Sequence, residues 1–170
     1  MDTHLGKLQQ ALSTAIGGMS AEQLSWHPAG KWCAAEVLEH LYLTYTGTVK
    51  GFERVTAAGK SLATTPTFSQ RLQTLVVLGL GYLPEGRKAP AVAQPRGLPQ
   101  EQVVSGVFPA IGQMDEIITR CEKALGSGKK LLDHPILGPL TAKQWRKFHL
   151  VHGLHHAKQI QRLRSARSSA

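Results

Sequence analysis

Only two cysteines, Cys33 and Cys121, occur in 170 residues. That is too few for a disulfide framework, neither has a CxxC partner, and free thiols suit a reducing compartment. Long apolar runs are lacking too. The most apolar stretch, TLVVLGLGYL at 74–83, is too short to cross a bilayer, and the opening MDTHLGKLQQ has no apolar signal-peptide core. A cytoplasmic protein with no membrane partner is expected. Acidic residues are scarce, with 11 Asp and Glu against 20 Lys and Arg, a net charge of +9. Such a balance raises the question of a nucleic-acid partner, which needs cations gathered on one face with base-reading groups among them. Here they are scattered. The densest run, RLRSARSSA at the C-terminus, follows Arg146, Lys147 and Lys158 and reads equally well as a solvated helix face and a frayed end, so nucleic acid is an unlikely partner.

What the chain does have is helical periodicity over a length that fits one domain, 1–170. Leu5, Leu8, Leu12 and Ile16 recur at steps of three and four before Gly17-Gly18, which predicts a first amphipathic helix. Ser20 and Gln23 have capping-box spacing, for a short helical turn. From about Cys33 to Gly59 a second long helix carries the stripe Ala34, Leu38, Leu41, Tyr45, Val49 and Phe52. Residues 66–83 predict a buried or partly buried helical segment. Glycine and proline scattered through EGRKAPAVAQPRGLPQ at 85–100 predict a long irregular connection of the kind that borders sites. A third long helix fills most of 101–125, with Pro109 kinking it or lying in its first turn. The last helix starts at about Ala142, where Thr141 and Gln144 form a capping box and Leu140 and Trp145 a hydrophobic staple.

Eight histidines are present, and four of them fall within residues 149–156. Trp145, His149, His152, His156, Gln159 and Leu163 recur at steps of four and three, one seam along the last helix, while Leu150, Val151, Leu154 and Ala157 cover another face. His152 and His156 are one turn apart, so both rings reach one ion. The HExxH metalloprotease pattern is absent, since the segment reads HGLHH. The pair is a metal site or a hydrogen-bonded core pair, and a third ligand decides between them. His40, on the second helix with Glu36 one turn before it, meets the pair if the helices face each other; Glu36 is then a candidate supporting partner. His149, one turn before His152, reads as a structural or supporting group ahead of a general base or an exposed one, and His134 as a turn residue, with lining of the site mouth as the lesser alternative. The two cysteines read as inert packing groups.

The segments WHPAGKWCAAEVLEHL (26–41) and HPILGPLTAKQWRKFHLVHGLHHAKQI (134–160) resemble the DinB/YfiT-like superfamily, with its W-S-x-x-E-x-L-x-H-L segment and C-terminal H-x-x-x-H-x-x-Q helix. The second segment is especially close to a DinB-like subfamily with an HP-x-x-G-x-L-T lead-in. The resemblance implies an all-α, up-down-down-up four-helix bundle, commonly a homodimer, with a divalent metal, zinc or nickel, held by three histidines. The matching positions are His40, His152 and His156. Cys33 departs from the family's usual serine and is a weaker helix cap. Members resemble thiol S-transferases, mycothiol-dependent isomerases and metal-dependent hydrolases. By that likeness this chain is a metal-dependent transferase or hydrolase acting on a small electrophile, with a low-molecular-weight thiol as cofactor. The alternative is a non-enzymatic binding or scaffold bundle whose histidines are structural.

Overall fold

A computed structural model describes residues 1–84 and 88–168. It is mostly helical, with one small two-stranded sheet. Helix α1 (Thr3–Ile16) begins where the Asp2 carboxylate accepts the His4 N–H at 2.8 Å, and it buries Leu5, Leu8, Leu12 and Ala15. After the short α2 (Ala21–Ser25), α3 spans Ala34–Ala58 and stops at Gly59, whose φ of 62° suits the left-handed turn after a helix. Helix α4 (Phe68–Thr74) runs on into a π-helical turn at Leu75–Gly79, and a single 3-10 turn occupies Ala91–Ala93. Helix α5 (Gln100–Leu125) and helix α6 (Ala142–Ser168) complete the long elements. Helix α3 packs along α5 and α1 along α6, and all four contribute to one core.

The helix boundaries follow the expected periodicity closely, and α6 begins at Ala142 because the reciprocal Thr141 and Gln144 bonds are both made. Of the two places open to Pro109 the first turn is excluded, since α5 runs through it with the proline as its tenth residue. Other expectations need correction. Between α5 and α6 the chain forms an antiparallel hairpin, β1 (Lys130–His134) with β2 (Gly138–Thr141), pairing Leu132 with Leu140 and His134 with Gly138. Segment 66–83 takes the partly buried of its two alternatives, with only Val77 and Leu78 buried in the core. Helix α4 turns Gln70, Gln73 and Thr74 towards the protein, with the Thr74 hydroxyl donating to the Leu137 carbonyl, so Phe68, Leu72 and Leu75 face outwards. On α6, Leu154 is exposed, and Gly153, Ala157 and Ile160 take the apolar contacts.

Among the cations, Arg146 is buried rather than on a solvated face. Its guanidinium donates to Asp115 at 3.1 Å, Glu122 at 2.6 Å and Thr119 at 2.7 Å, joining α6 to α5. At the far end of α6, Arg164 donates to the Gly17 carbonyl and Arg167 pairs with Glu22, so the basic run is tied to the end of α1 and to α2 at these two residues. Residues 85–87 of the expected connection and 169–170 of the basic run lie outside the described residues. No helix among the described residues is long and apolar enough to cross a membrane.

Candidate metal centre

Two capping boxes set the positions of the site residues. At the start of α3 the Cys33 thiol accepts the Glu36 N–H at 3.4 Å while the Glu36 carboxylate accepts the Cys33 N–H at 2.8 Å, which places His40 in the second turn. On α6, His152 and His156 stand in the third and fourth turns after the Thr141 box. The three imidazoles converge. Nε2 of His152 is 3.1 Å from Nε2 of His40 and 3.2 Å from Nε2 of His156, and one ring nitrogen from each of the three lies within 4.8 Å of the others. All three side chains are buried.

Hydrogen bonds at the opposite ring edges decide which nitrogens carry protons. The Ala93 carbonyl, 2.7 Å from Nδ1 of His40, can only accept, so that nitrogen is the donor. Nδ1 of His156 likewise donates to Gln159 Oε1 at 2.9 Å. In the neutral rings both Nε2 atoms are therefore bare lone pairs aimed at His152. Burial, joined by mutual repulsion, holds the rings neutral: it lowers His40, pushes His156 down to about 3 and His152 well below the ordinary value. One proton on His152 Nε2 serves only one of its two neighbours. A cation serves all three lone pairs. Two tetrahedral ligands each about 2.05 Å from a zinc ion lie about 3.3 Å apart, close to the two separations that involve His152. The donor set therefore fits a divalent ion with a preference for imidazole, zinc or nickel among them.

Aromatic rings close the sides. Trp32 lies 5.5 Å from the His40 ring, and Phe148 stacks on His152 at 5.4 Å. Trp145, held by a bond from its Nε1 to the Leu132 carbonyl at 3.2 Å, joins them in lining a cavity of about 450 Å3 that opens from the imidazoles. His134 combines the two roles that stood as alternatives. Its Nδ1 accepts the N–H groups of Ile136 and Leu137 at 3.1 Å, making the hairpin turn, while its ring packs on Phe148 and lines the cavity.

The two supporting candidates stand elsewhere. Glu36 is committed to the α3 cap and does not touch His40. His149 is fully buried, but its Nε2 faces the Thr48 hydroxyl at 3.2 Å and its ring stacks on Trp145, away from the three converging nitrogens. The carboxylate that serves the site is Glu39, 2% exposed, which accepts the N–H of Arg96 at 2.6 Å and of Gly97 at 3.2 Å. It straps the 90–97 connection to α3 and so presents the Ala93 carbonyl to His40. The sequence carries no signal that singles it out, since the AAEVLEHLYL run holds a second acid, Glu36, and Glu39 lies on the side of α3 that the periodic stripe does not cover.

A family model described as Protein of unknown function (DUF1569) matches residues 1–163. No curated protein and no solved structure matches the chain.

Proposed function

The chain belongs to the DUF1569 family, and we propose that it is a divalent-metal protein with His40, His152 and His156 as its ligands, acting as a transferase or hydrolase on an electrophile, with a low-molecular-weight thiol as co-substrate. The observation that carries this reading is the convergence of three neutral Nε2 atoms, two of them with their protons fixed on the far side. We read the packing of α1, α3, α5 and α6 as an up-down-down-up four-helix bundle in a single domain, consistent with the DinB-like segments, in which inward side chains on facing helices make such sites.

Three imidazoles leave room for an exogenous ligand, which is characteristic of catalytic rather than structural zinc. When bound, the ion supplies Lewis acidity, polarising a carbonyl or lowering the pKa of a thiol or water. The chain does the rest. Ala93 and Gln159 orient the rings, Glu39 holds the segment that carries Ala93, and Trp32, Phe148 and Trp145 provide apolar walls that strengthen electrostatic interactions beside the site.

Elemental analysis of untagged protein, beside the His40→Ala and His156→Ala variants, tests this reading. The expected result is about one equivalent of zinc or nickel in the parent and its loss in both variants with helicity retained. A parent that takes up no metal after reconstitution makes the cluster a structural one.

A further inference from the structure

The cavity that opens from the imidazoles is elongated, and α3 supplies its long wall. His40 stands at one end of that wall and Arg54 at the other, with Leu43, Thr44, Gly47, Thr48 and Gly51 between them at helical steps. Fourteen residues at the rise of an α-helix separate the two ends by about 21 Å. The middle of the wall is low. A Cβ built on Gly47 meets nothing within 4 Å, and Leu83, Val92, Ile136 and Phe148 line the same cavity. The ends differ in kind: neutral imidazoles at one, a guanidinium at the other.

Arg54 is exposed and has no hydrogen bond or ion pair with any described residue. Lys88, also exposed, lines the same space. Asp133 is the one carboxylate lining it among the described residues; its oxygens accept the N–H and hydroxyl of Thr64 at 3.0 and 2.6 Å, and it keeps its charge. Arg54 and Lys88 outweigh it, so the lining offers a ligand a net positive charge, and a carboxylate is the natural complement of a guanidinium fork.

We propose that the site takes an elongated amphiphile rather than a compact small molecule: an unbranched apolar chain with its carboxylate on Arg54 and its reacting thiol or carbonyl at the imidazoles. A carbon chain advances about 1.3 Å per bond, given bonds of about 1.5 Å, so roughly ten to fourteen carbons span the wall once the arginine side chain has reached inwards. The cavity volume is in the range of sites that enclose a ligand of this size. The reacting end rests on the metal reading above. The apolar trough and the carboxylate end do not.

Trp32 and Trp145 both line the cavity, so intrinsic fluorescence reports its filling whether or not metal is present. The full chain is titrated with 11-mercaptoundecanoate, 11-mercaptoundecanol and 3-mercaptopropionate, with zinc content measured on the same samples. The long acid is expected to bind at least tenfold more tightly than either of the others. Arg54→Gln is expected to bring the acid down to the level of the alcohol. Gly47→Leu, which fills the trough about 10 Å along the helix from His40, is expected to abolish binding of both long probes with zinc content unchanged. Equal affinity for the long acid and the alcohol, an acid affinity untouched by Arg54→Gln, or the absence of saturable binding overturns the proposal. Stoichiometric zinc without amphiphile binding sinks this inference alone, and amphiphile binding by a chain that takes no zinc sinks the metal reading alone.

Discussion

At His156 a single neutral amide decides which ring nitrogen is free. Gln159 Oε1 accepts from Nδ1 at 2.9 Å, and without it the ring proton is as stable on Nε2, where it blocks the convergent face. Gln159→Leu keeps all three imidazoles and the helix, yet it is expected to weaken zinc binding by about 10–100-fold, the usual cost of removing such an outer partner. Chelator competition measures it, and unchanged affinity means that something other than Gln159 orients the ring. The histidines themselves were legible because an i, i+4 pair is a property of one helix. Glu36 was misassigned for the same reason: its spacing to His40 is right for a neighbour, but spacing does not reveal that the carboxylate is already used one turn earlier by the Cys33 N–H. Glu39 and Ala93 were illegible because their partners lie more than fifty residues away in sequence.

At the scale of elements, α6 approaches α1 tightly at Gly153. A Cβ at Gly153 would sit 1.9 Å from Leu8 Cδ1 and 3.4 Å from the Tyr45 hydroxyl, both in fully buried side chains. Gly153→Ala gains about 1 kcal/mol of helix propensity, and forcing a methyl into a filled core costs about 1–3 kcal/mol. With so short an approach the clash is expected to prevail, giving a net loss of about 1–2 kcal/mol in urea unfolding. The Leu8→Ala/Gly153→Ala double variant is expected to lose less than the sum of its parts, and strict additivity there means the two residues do not meet. The long helices were readable because each buries a stripe against the core. The hairpin was not, since β1 and β2 are five and four residues long and KLLDHPILGPLT does not alternate. Helix α4 misled for another reason: Thr74 on its inner face bonds to the hairpin, so apolar content does not mark that face.

For the whole molecule, a group of histidines is kept uncharged by burial, and the fold depends on pH as a result. Burial lowers His134 to about 4 and His149 to about 3, alongside His156. Above about pH 6.5 these rings are neutral both folded and unfolded and do not favour either state. As pH falls below that value the unfolded chain takes up protons that the folded chain refuses until about 4 and 3, so stability declines across that window, by up to about 1.4 kcal/mol per pH unit for each such ring. Urea midpoints of the metal-free protein are expected to fall steadily from pH 7 to pH 4.5, and His149→Gln to make the slope shallower. A flat profile means that these rings are hydrated in solution.

The strap made by Glu39 joins two things that the sequence keeps far apart. The connection it grips forms a wall of the cavity at Val92 and Ala93, and through the Ala93 carbonyl it also sets the proton on His40. If an ion occupies the three nitrogens and a guest the cavity, both draw on this one segment, and by thermodynamic reciprocity whatever factor the guest imposes on the affinity for the ion, the ion imposes on the affinity for the guest.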